Sequence, residues 1–229
     1  MSKKVSLIAG STGFLGSKIL KYLSQENDKI YCLSRRKKNI NKKNFEDIII
    51  NFDNLNNLNL PKVDHVYLCL GYELRAWELI LMPEKIKKPF YKVDYEYGLN
   101  IAKKTLNAGA TSISLVSAIG ADINSSSFYL KTKGYLEGEI RKLPFETINI
   151  FQPGHLAGRI NWQRKKNDPR IDVFAFEIAS LFFDPFMFGA FKKYRSINAV
   201  KLAEFLIEVS KENKKGINYF QFNDFIKKI

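Results

Sequence analysis

Short apolar runs alternate along the chain with stretches in which apolar residues recur every three or four positions. The first run, Val5 to Ala9, is continuous and rich in branched side chains, which is typical of a buried strand. The spacing of Leu15, Ile19 and Leu23 directly after it predicts an amphipathic helix. The same criteria predict further strands at residues 30–33, 47–51, 65–70, 112–116 and 147–151.

Helical spacing returns between and after these strands, at residues 93–108, 128–142 and 200–209. Gly109 directly follows the first of these helices and suits its C-terminal cap. Residues 71–92, which contain Pro83 and Pro89, are expected to form a loop. Apolar strands that alternate with helices predict an α/β fold of Rossmann type, with a doubly wound parallel sheet covered on both faces.

No linker or internal repeat divides the 229 residues, so the chain is expected to be a single domain. Residues 1–154 are predicted to be its cofactor-binding core. The periodicity weakens beyond Gly154, and residues 155–229 are expected to form a small substrate-side cap with a C-terminal helix. Gly154 and Gly158 would be the hinges of a mobile cap, whose Phe-rich stretch at 182–188 is interpreted as cap core. The alternatives for this stretch are an apolar substrate wall or a peripheral contact with a membrane surface.

A glycine-rich turn connects the first strand to the first helix. Glycines permit a tight turn and a close approach of a ligand to the backbone, while the N–H groups of a helix N-terminus receive phosphates. The turn is therefore predicted to bind the pyrophosphate of a dinucleotide, and the residues concerned are Gly10, Ser11, Thr12, Gly13, Phe14, Leu15 and Gly16.

The end of the second strand bears on the choice of cofactor. An acidic residue at this point bonds the ribose 2′-hydroxyl of NAD, whereas a basic residue accommodates the 2′-phosphate of NADP. The sequence has Ser34, Arg35 and Arg36 there and no acid, which favours NADP(H) over NAD(H). Asp53, after the third strand, is a candidate contact for the adenine, or alternatively a cap of the following turn.

Ser117, Tyr129 and Lys133 form the candidate catalytic group. Tyr129 and Lys133 are four residues apart on a predicted helix and share a face, while Ser117 ends the fifth strand. Tyrosine has a pKa of about 10, and a nearby ammonium group or an oxidised nicotinamide lowers that pKa. Tyr129 is then expected to exchange a proton with a substrate carbonyl, Ser117 to hold the substrate oxygen and Lys133 to bond the nicotinamide ribose.

Charge and cysteine content limit the remaining classes. The formal net charge is +14, but the basic residues are doublets spread along the whole chain, so nucleic-acid binding is not expected. Cys32 and Cys69 fall in predicted strands and are interpreted as reduced thiols. Neither a signal peptide nor an apolar run of ~18 residues is evident, so the expectation is a cytoplasmic protein. His65 is interpreted as structural and His155 as structural or pocket-lining, and the two histidines and two cysteines have no metal-ligand spacing, so no metal is expected.

These residues together resemble the short-chain dehydrogenase/reductase superfamily, in particular its atypical, epimerase-related branch. The chain is most similar to the TIP30/CC3-like oxidoreductases, the HIV Tat-interactive protein family. The motifs that carry the resemblance are the glycine turn, Ser34–Lys37, Leu68–Gly71, Val93–Tyr95, Ser117–Asp122, Tyr129–Gly134 and Phe151–Gly154. The resemblance implies a Rossmann fold that binds NADPH, with Leu70, Gly71, Pro153 and Gly154 as further cofactor contacts.

The expected function is an NADP(H)-dependent oxidoreductase that transfers hydride to or from a small carbonyl or alcohol substrate. Few polar groups are available in the Phe-rich region to bind sugar hydroxyls, so the substrate is expected to be apolar. The alternative, from a different class, is a regulatory or scaffold protein that binds NADPH without turnover.

Overall fold

The computed structural model describes residues 4–25, 29–35, 44–79, 81–158, 175, 178–180, 182 and 184–227. Its centre is a sheet of seven strands that all run parallel. The strands are β1 (Val5–Ala9), β2 (Lys29–Ser34), β3 (Phe45–Ile49), β4 (His65–Leu68), β5 (Ser112–Val116), β6 (Thr147–Phe151) and, late in the chain, β9 (Gly216–Phe220). A small second sheet pairs β7 (Leu156–Ala157) with β8 (Ile197–Asn198).

The strand order is β3-β2-β1-β4-β5-β6-β9, which reverses direction between β1 and β4. Helices α1 (Phe14–Leu23), α5 (Ala199–Glu212) and α6 (Phe222–Lys227) supply an apolar layer on one face, together with Phe151 from the sheet. Helices α3 (Gly98–Asn107) and α4 (Phe128–Arg141) supply the layer on the other face. The Rossmann-type doubly wound fold predicted from the apolar pattern is therefore confirmed.

Helix α2 (Glu84–Tyr91) occupies part of the stretch that the two prolines led us to expect as a loop. Pro83 precedes its first turn, where a missing N–H costs nothing, and Pro89 lies within it. A π-helical turn, Lys92–Tyr97, connects α2 directly to α3. The helix expected to begin at Val93 thus begins at Glu84, and this π turn holds a residue of the candidate site described below.

The seventh strand, β9, also differs from expectation. Its central residue, Asn218, is buried and donates from Nδ2 to Oδ1 of Asn149 on β6 at 3.2 Å, while Ile217 and Tyr219 are 45% and 42% exposed. A polar centre between exposed apolar residues does not produce the pattern of a buried strand. The strand β9 belongs to the main sheet, so the expectation of only a cap and a C-terminal helix after Gly154 is wrong for it, whereas α5 is the helix predicted at residues 200–209 and covers the sheet.

Three smaller features concern the cysteines, the helices and the start of β3. Neither Cys32, which is buried, nor Cys69, which is half-buried, is in a disulfide bond. None of the helices in the described part of the chain is long and apolar enough to cross a membrane. The β3 strand begins two residues before its predicted start, because Phe45 packs with the α1 layer.

Candidate cofactor and active site

The turn after β1 has the geometry that its glycines predict. Gly10 has a φ of +90°, and a Cβ built on it would lie 2.4 Å from the carbonyl oxygen of Cys69, so only glycine fits where β1 and β4 end side by side. A Cβ on Gly16 would lie 2.1 Å from the Gly10 oxygen, which lets α1 start directly against the turn. Gly13 is the N-cap of α1 and offers no side-chain cap of its own, so the helix N-terminus presents backbone donors.

The predicted site residues lie where strands of the sheet end. Because the strands are parallel, their carboxyl ends form one edge, and β1 and β4 meet there at the point where the strand order reverses. The sequence-predicted residues that follow these ends are the glycine turn after β1, Arg35 after β2, Asp53 after β3, Leu70 and Gly71 after β4, Ser117 after β5, and Pro153 and Gly154 after β6.

Two predicted contacts lie toward the β2–β3 side of this edge. Arg35 is exposed directly after β2, as a phosphate-binding residue needs to be, whereas Arg36 lies outside the described residues. Asp53 pairs with Lys92 Nζ at 2.6 Å and accepts a short hydrogen bond from the Tyr97 hydroxyl. These two interactions lower the pKa of the Asp53 carboxyl and tie the end of β3 to the π turn.

Tyr129 and Lys133 do share one face of α4, where Lys133 is buried and Tyr129 is half-buried. The Lys133 Nζ lies 5.9 Å from the centroid of the Tyr129 ring. The same ammonium forms an ion pair of 2.6 Å with Oδ1 of Asp94, with 7% of the Lys133 side chain and 2% of the Asp94 side chain exposed. The other oxygen of Asp94 accepts from the backbone N–H of Tyr72 at 2.6 Å. Asp94 therefore joins the π turn, α4 and the loop after β4.

The electrostatics of this group differ from the sequence-based expectation. Burial raises the pKa of Tyr129 above its ordinary value, and the charge of Asp94 adds to this rise, which Lys133 opposes only in part. Burial also opposes the charge of Lys133, but the Asp94 carboxylate outweighs it and raises the pKa of the ammonium. The expectation that Lys133 lowers the pKa of Tyr129 thus holds for its own contribution and fails for the sum, because burial raises the pKa by more than the lysine charge lowers it and Asp94 adds to the rise.

Ser117 meets α4 through a second buried carboxyl group. Its Oγ is buried and forms no hydrogen bond with the described residues. The hydroxyl is still close enough to Glu137 to oppose, in part, the rise in the pKa of that carboxyl group. Glu137 accepts from Gln152 Nε2 at 3.0 and 3.1 Å. Burial is the largest influence on the Glu137 carboxyl and raises its pKa. A buried hydroxyl with unused capacity, beside the Tyr129 helix, fits the recognition of a substrate oxygen.

Residues from the later part of the chain pack against the residues that follow β6. A Cβ on Gly154 would lie 2.9 Å from the carbonyl oxygen of Tyr194, and Ile119 donates its N–H to the Pro153 oxygen at 2.9 Å. His155 Nδ1 lies 3.1 Å from Ser196 Oγ. The predicted hinge at Gly154 is therefore a close backbone contact, while residues 159–174 of the predicted mobile cap lie outside the described residues.

Sequence reasoning missed Asp94 and Glu137. Asp94 was hidden because it lies in a helix whose π turn changes the register, yet its place inside the Val93–Tyr95 motif was a signal. Glu137 follows Lys133 by one helical turn, and a charged residue on the buried stripe of α4 was the signal there. In the described residues, no group of three or more His, Cys, Asp or Glu side chains is arranged to hold a metal ion.

A separate cavity of about 390 Å³ opens at the opposite edge of the sheet, where the strands begin. Its lining is polar and is formed by Lys4, Asp64, Thr111, Ser112, Glu146, Thr147, Asn213 and Lys215. None of the sequence-predicted site residues lines this cavity, so the candidate site lies at the carboxyl edge of the sheet and not here.

Comparisons with known proteins agree with this geometry. The NAD dependent epimerase/dehydratase family matches residues 6–105. The mitochondrial protein FMP52 of Kluyveromyces lactis is 32% identical over 178 residues, which are 68% of this chain and 69% of that protein. The protein HTATIP2 of Rattus norvegicus is 28% identical over 163 residues, which are 68% of this chain and 64% of that protein. The chain thus spans about two thirds of the length of these relatives.

Solved structures share the fold at low sequence identity. Human epimerase family protein SDR39U1, determined with NADPH, superimposes with a TM-score of 0.63 at 16% identity and covers 95% of this chain and 74% of its own. MoeE5 in complex with UDP-glucose and NAD superimposes with a TM-score of 0.65 at 13% identity and covers 97% and 79%.

The expected cytoplasmic location is wrong by the same comparisons. Five of the relatives at 28–32% identity are FMP52 proteins of different yeasts, each named mitochondrial. The expectation rested on reduced cysteines and on the absence of a recognisable signal, and neither property separates the cytoplasm from a mitochondrial location.

Proposed function

Because the chain belongs to the atypical short-chain dehydrogenase/reductase family, and is an NAD(P)-binding protein of oxidoreductase type, we propose that it is an NADP(H)-dependent reductase or dehydrogenase acting on a small, apolar carbonyl or alcohol. The observation that carries the proposal is the Tyr129–Lys133–Asp94 group on α4 and the π turn, in which the ion pair is buried and Tyr129 is half-buried. Asp94 also accepts from the backbone N–H of Tyr72 in the loop after β4, and the end of β4 lies against Gly10 of the glycine turn.

In the proposed reaction, separate residues bind the cofactor and transfer the proton. The glycine turn and the N-terminus of α1 hold the pyrophosphate, and Arg35 holds the 2′-phosphate. A bound nicotinamide supplies or accepts the hydride. The Tyr129 hydroxyl donates a proton to the substrate oxygen in the reducing direction and accepts one in the other, and the Ser117 hydroxyl donates a hydrogen bond to that oxygen.

The raised pKa of Tyr129 suits the reducing direction, in which the phenol has to be protonated. Lys133 keeps its charge in a buried place because Asp94 compensates it. The ammonium can therefore stabilise the phenolate that forms as the proton leaves.

A panel of apolar aldehydes, ketones and quinones tests the proposal, with NADPH oxidation as the readout. Tyr129→Phe is expected to lower kcat at least a hundredfold with little change in NADPH affinity, since general acid catalysis contributes roughly 10²–10⁴. Tyr135→Phe is the matched control, because Tyr135 lies on the same helix and is 40% exposed. Equal activity of the Tyr129 and Tyr135 variants would contradict the mechanism.

The second candidate is an NADPH-binding regulatory protein without turnover. The ion pair favours it in one respect, because Asp94 takes one of the three N–H donors of the Lys133 ammonium and so competes with the nicotinamide ribose for this group. Tight NADPH binding together with inactivity across the whole panel would support this candidate over the reductase.

The relatives' names also support a mitochondrial location. Expression of the tagged full chain and cell fractionation check this point, and recovery only in the cytosolic fraction would contradict it.

A further inference from the structure

Four phenylalanine side chains late in the chain are exposed where an ordinary core would bury them. The exposed fractions are 69%, 78%, 69% and 68% for Phe182, Phe186, Phe188 and Phe191. We call these four side chains the aromatic face. The expectation that the Phe-rich stretch is cap core is therefore wrong for Phe182, Phe186 and Phe188. Exposed aromatic residues this close together in sequence are typical of a surface that another body covers.

The aromatic face is carried on a segment with fixed contacts. Phe186 and Phe191 lie in two 3₁₀ turns, Asp184–Phe186 and Gly189–Tyr194, and Phe188 lies between these turns. The Asp184 carboxylate accepts from the N–H of Ser196 at 3.0 Å. Arg195 donates from Nη2 to the Pro185 oxygen at 3.1 Å, and its guanidinium lies 5.5 Å from the centroid of the Phe188 ring. These contacts hold the phenylalanines outward.

Positive charge borders the same segment. Lys192 and Lys193 follow Phe191 directly, and the Lys193 ammonium lies 5.2 Å from the Tyr194 ring centroid. The acidic residue nearby, Asp184, is engaged by the Ser196 N–H. The whole chain carries a formal charge of +14. An apolar aromatic surface with a basic border is complementary to a bilayer, whose interface takes up aromatic rings and whose anionic headgroups attract lysine.

We propose that the aromatic face docks onto the surface of a lipid bilayer that contains anionic lipids. The phenylalanine rings enter the boundary between headgroups and acyl chains, and Lys192 and Lys193 contact the headgroup phosphates. The proposal does not depend on the proposed reductase activity, because it rests on surface residues alone.

A second copy of the chain is the less favourable occupant. In a two-fold symmetric dimer the same patch meets itself, so the interface would bring together the Lys192 and Lys193 side chains of both copies. Like charges brought together at a contact oppose association, whereas anionic headgroups remove that opposition. A bilayer is therefore the occupant that charge complementarity selects.

The segment also borders the candidate site. The backbone carbonyls of Tyr194 and Arg195 pack on Gly154, at 2.9 and 3.0 Å from its built Cβ. Docking through the aromatic face would thus place the end of β6 close to the bilayer surface, which is where an apolar substrate concentrates.

Vesicle flotation with the purified full chain tests the proposal. The probes are phosphatidylcholine vesicles and vesicles of phosphatidylcholine mixed with phosphatidylglycerol. The unmodified protein is expected to float with the mixed vesicles and much less with phosphatidylcholine alone. The double variant Lys192→Gln/Lys193→Gln is expected to bind the mixed vesicles about thirtyfold more weakly, since each basic residue at such a surface contributes about fivefold.

The matched control removes the same charge elsewhere. Lys103→Gln/Lys201→Gln takes two exposed lysines from α3 and α5 and lowers the net charge equally. This variant is expected to bind nearly as the unmodified protein does. Equal weakening by both double variants would mean that total charge, and not the aromatic face, drives binding, and would overturn the proposal.

A second pair of variants tests the apolar part. Phe186→Ser/Phe191→Ser is expected to weaken vesicle binding on the order of a hundredfold, because two rings are no longer inserted. Leu81→Ser is the control, since Leu81 is 74% exposed and lies outside the segment. Unchanged vesicle binding of the phenylalanine variant would overturn the proposal. Conversion of a dimer into a monomer by that variant, without vesicles, would also overturn it in favour of a protein contact.

Discussion

The carboxylate of Asp94 and the ammonium of Lys133 form a buried ion pair of 2.6 Å that joins the π turn to α4. As a consequence, the Asp94 carboxylate compensates the charge of Lys133, the residue expected to lower the pKa of Tyr129. The π turn makes this pair possible, because the extra residue of an i to i+5 turn changes the direction of side chains relative to a regular α-helix.

Asp94→Asn keeps the shape of the side chain and removes its charge. The pKa of Tyr129 is expected to fall, because Asp94 raises it and Lys133 lowers it. Ultraviolet titration of tyrosinate, taken as the difference from the same protein with Tyr129→Phe, measures the shift. Asp122→Asn serves as the control for an exposed carboxylate. A rise of the Tyr129 pKa in the Asp94 variant would mean that Lys133 has lost its proton, which contradicts the prediction.

Asp94→Ala, in contrast, leaves the ammonium buried without its partner. Breaking a buried pair from one side costs about 3–5 kcal/mol of the free energy of unfolding. Urea unfolding measures it, and Asp53→Ala is the comparison, since the Asp53–Lys92 pair is exposed and screened by water. A loss for Asp94→Ala no larger than that for Asp53→Ala would show that the buried pair is not a stabilising contact.

The sequence predicted the sheet well where strands are almost wholly buried, as in β1, β5 and β6, because short runs rich in apolar and β-branched residues fit a parallel sheet that is covered on both faces. It failed at α2, whose charged residues and Pro89 hide a helix with a single buried side chain, Phe90. A local apolar pattern indicates which residues are buried, but it does not indicate which distant element packs over them.

The candidate site likewise has a local part, which the sequence reveals, and a long-range part, which it does not. The glycine turn and the Tyr129–Lys133 spacing are local, so the sequence reveals them. Asp94 is 39 residues from Lys133 in sequence, and only the packing of the π turn on α4 brings the two together. Burial, which is the largest influence on the pKa of Tyr129, and the charge of Asp94 both arise from such packing, which explains why the direction of this pKa could not be obtained from the sequence.

Arg35→Ala tests the choice of cofactor. Loss of a charged hydrogen bond to phosphate is expected to weaken NADPH binding by about 1.5–3 kcal/mol and to leave NADH binding nearly unchanged. Fluorescence titration with both cofactors measures the two affinities, and Lys103→Ala controls for a lost surface charge. Parallel weakening of NADPH and NADH by Arg35→Ala would remove the basis for the NADP preference.

Two glycines of α4 are expected to respond in opposite directions to alanine. A Cβ on Gly134 would lie 2.5 Å from the backbone carbonyl carbon of Asp122 and 2.6 Å from the Ile123 nitrogen, so Gly134→Ala has to displace backbone. A Cβ on Gly138 meets nothing within 4 Å, so Gly138→Ala should stabilise the helix by roughly 0.5–1 kcal/mol. Thermal unfolding of both variants gives the comparison, and a stabilising Gly134→Ala would contradict the close contact.

His65 makes the folded protein sensitive to acid. Its ring is fully buried in β4, with Nε2 2.9 Å from Ser114 Oγ and with Nδ1 without a hydrogen-bond partner in the described residues. Burial, with a smaller contribution from Lys4, holds the pKa of His65 well below its ordinary value. The unfolded chain therefore binds a proton near pH 6.5 that the folded chain does not, and the free energy of unfolding falls as the pH drops below that value, by up to about 1.4 kcal/mol per pH unit. Urea unfolding between pH 7.5 and pH 5 measures the slope, and His65→Gln should make it shallower. An unchanged slope in that variant would assign the acid sensitivity to other groups.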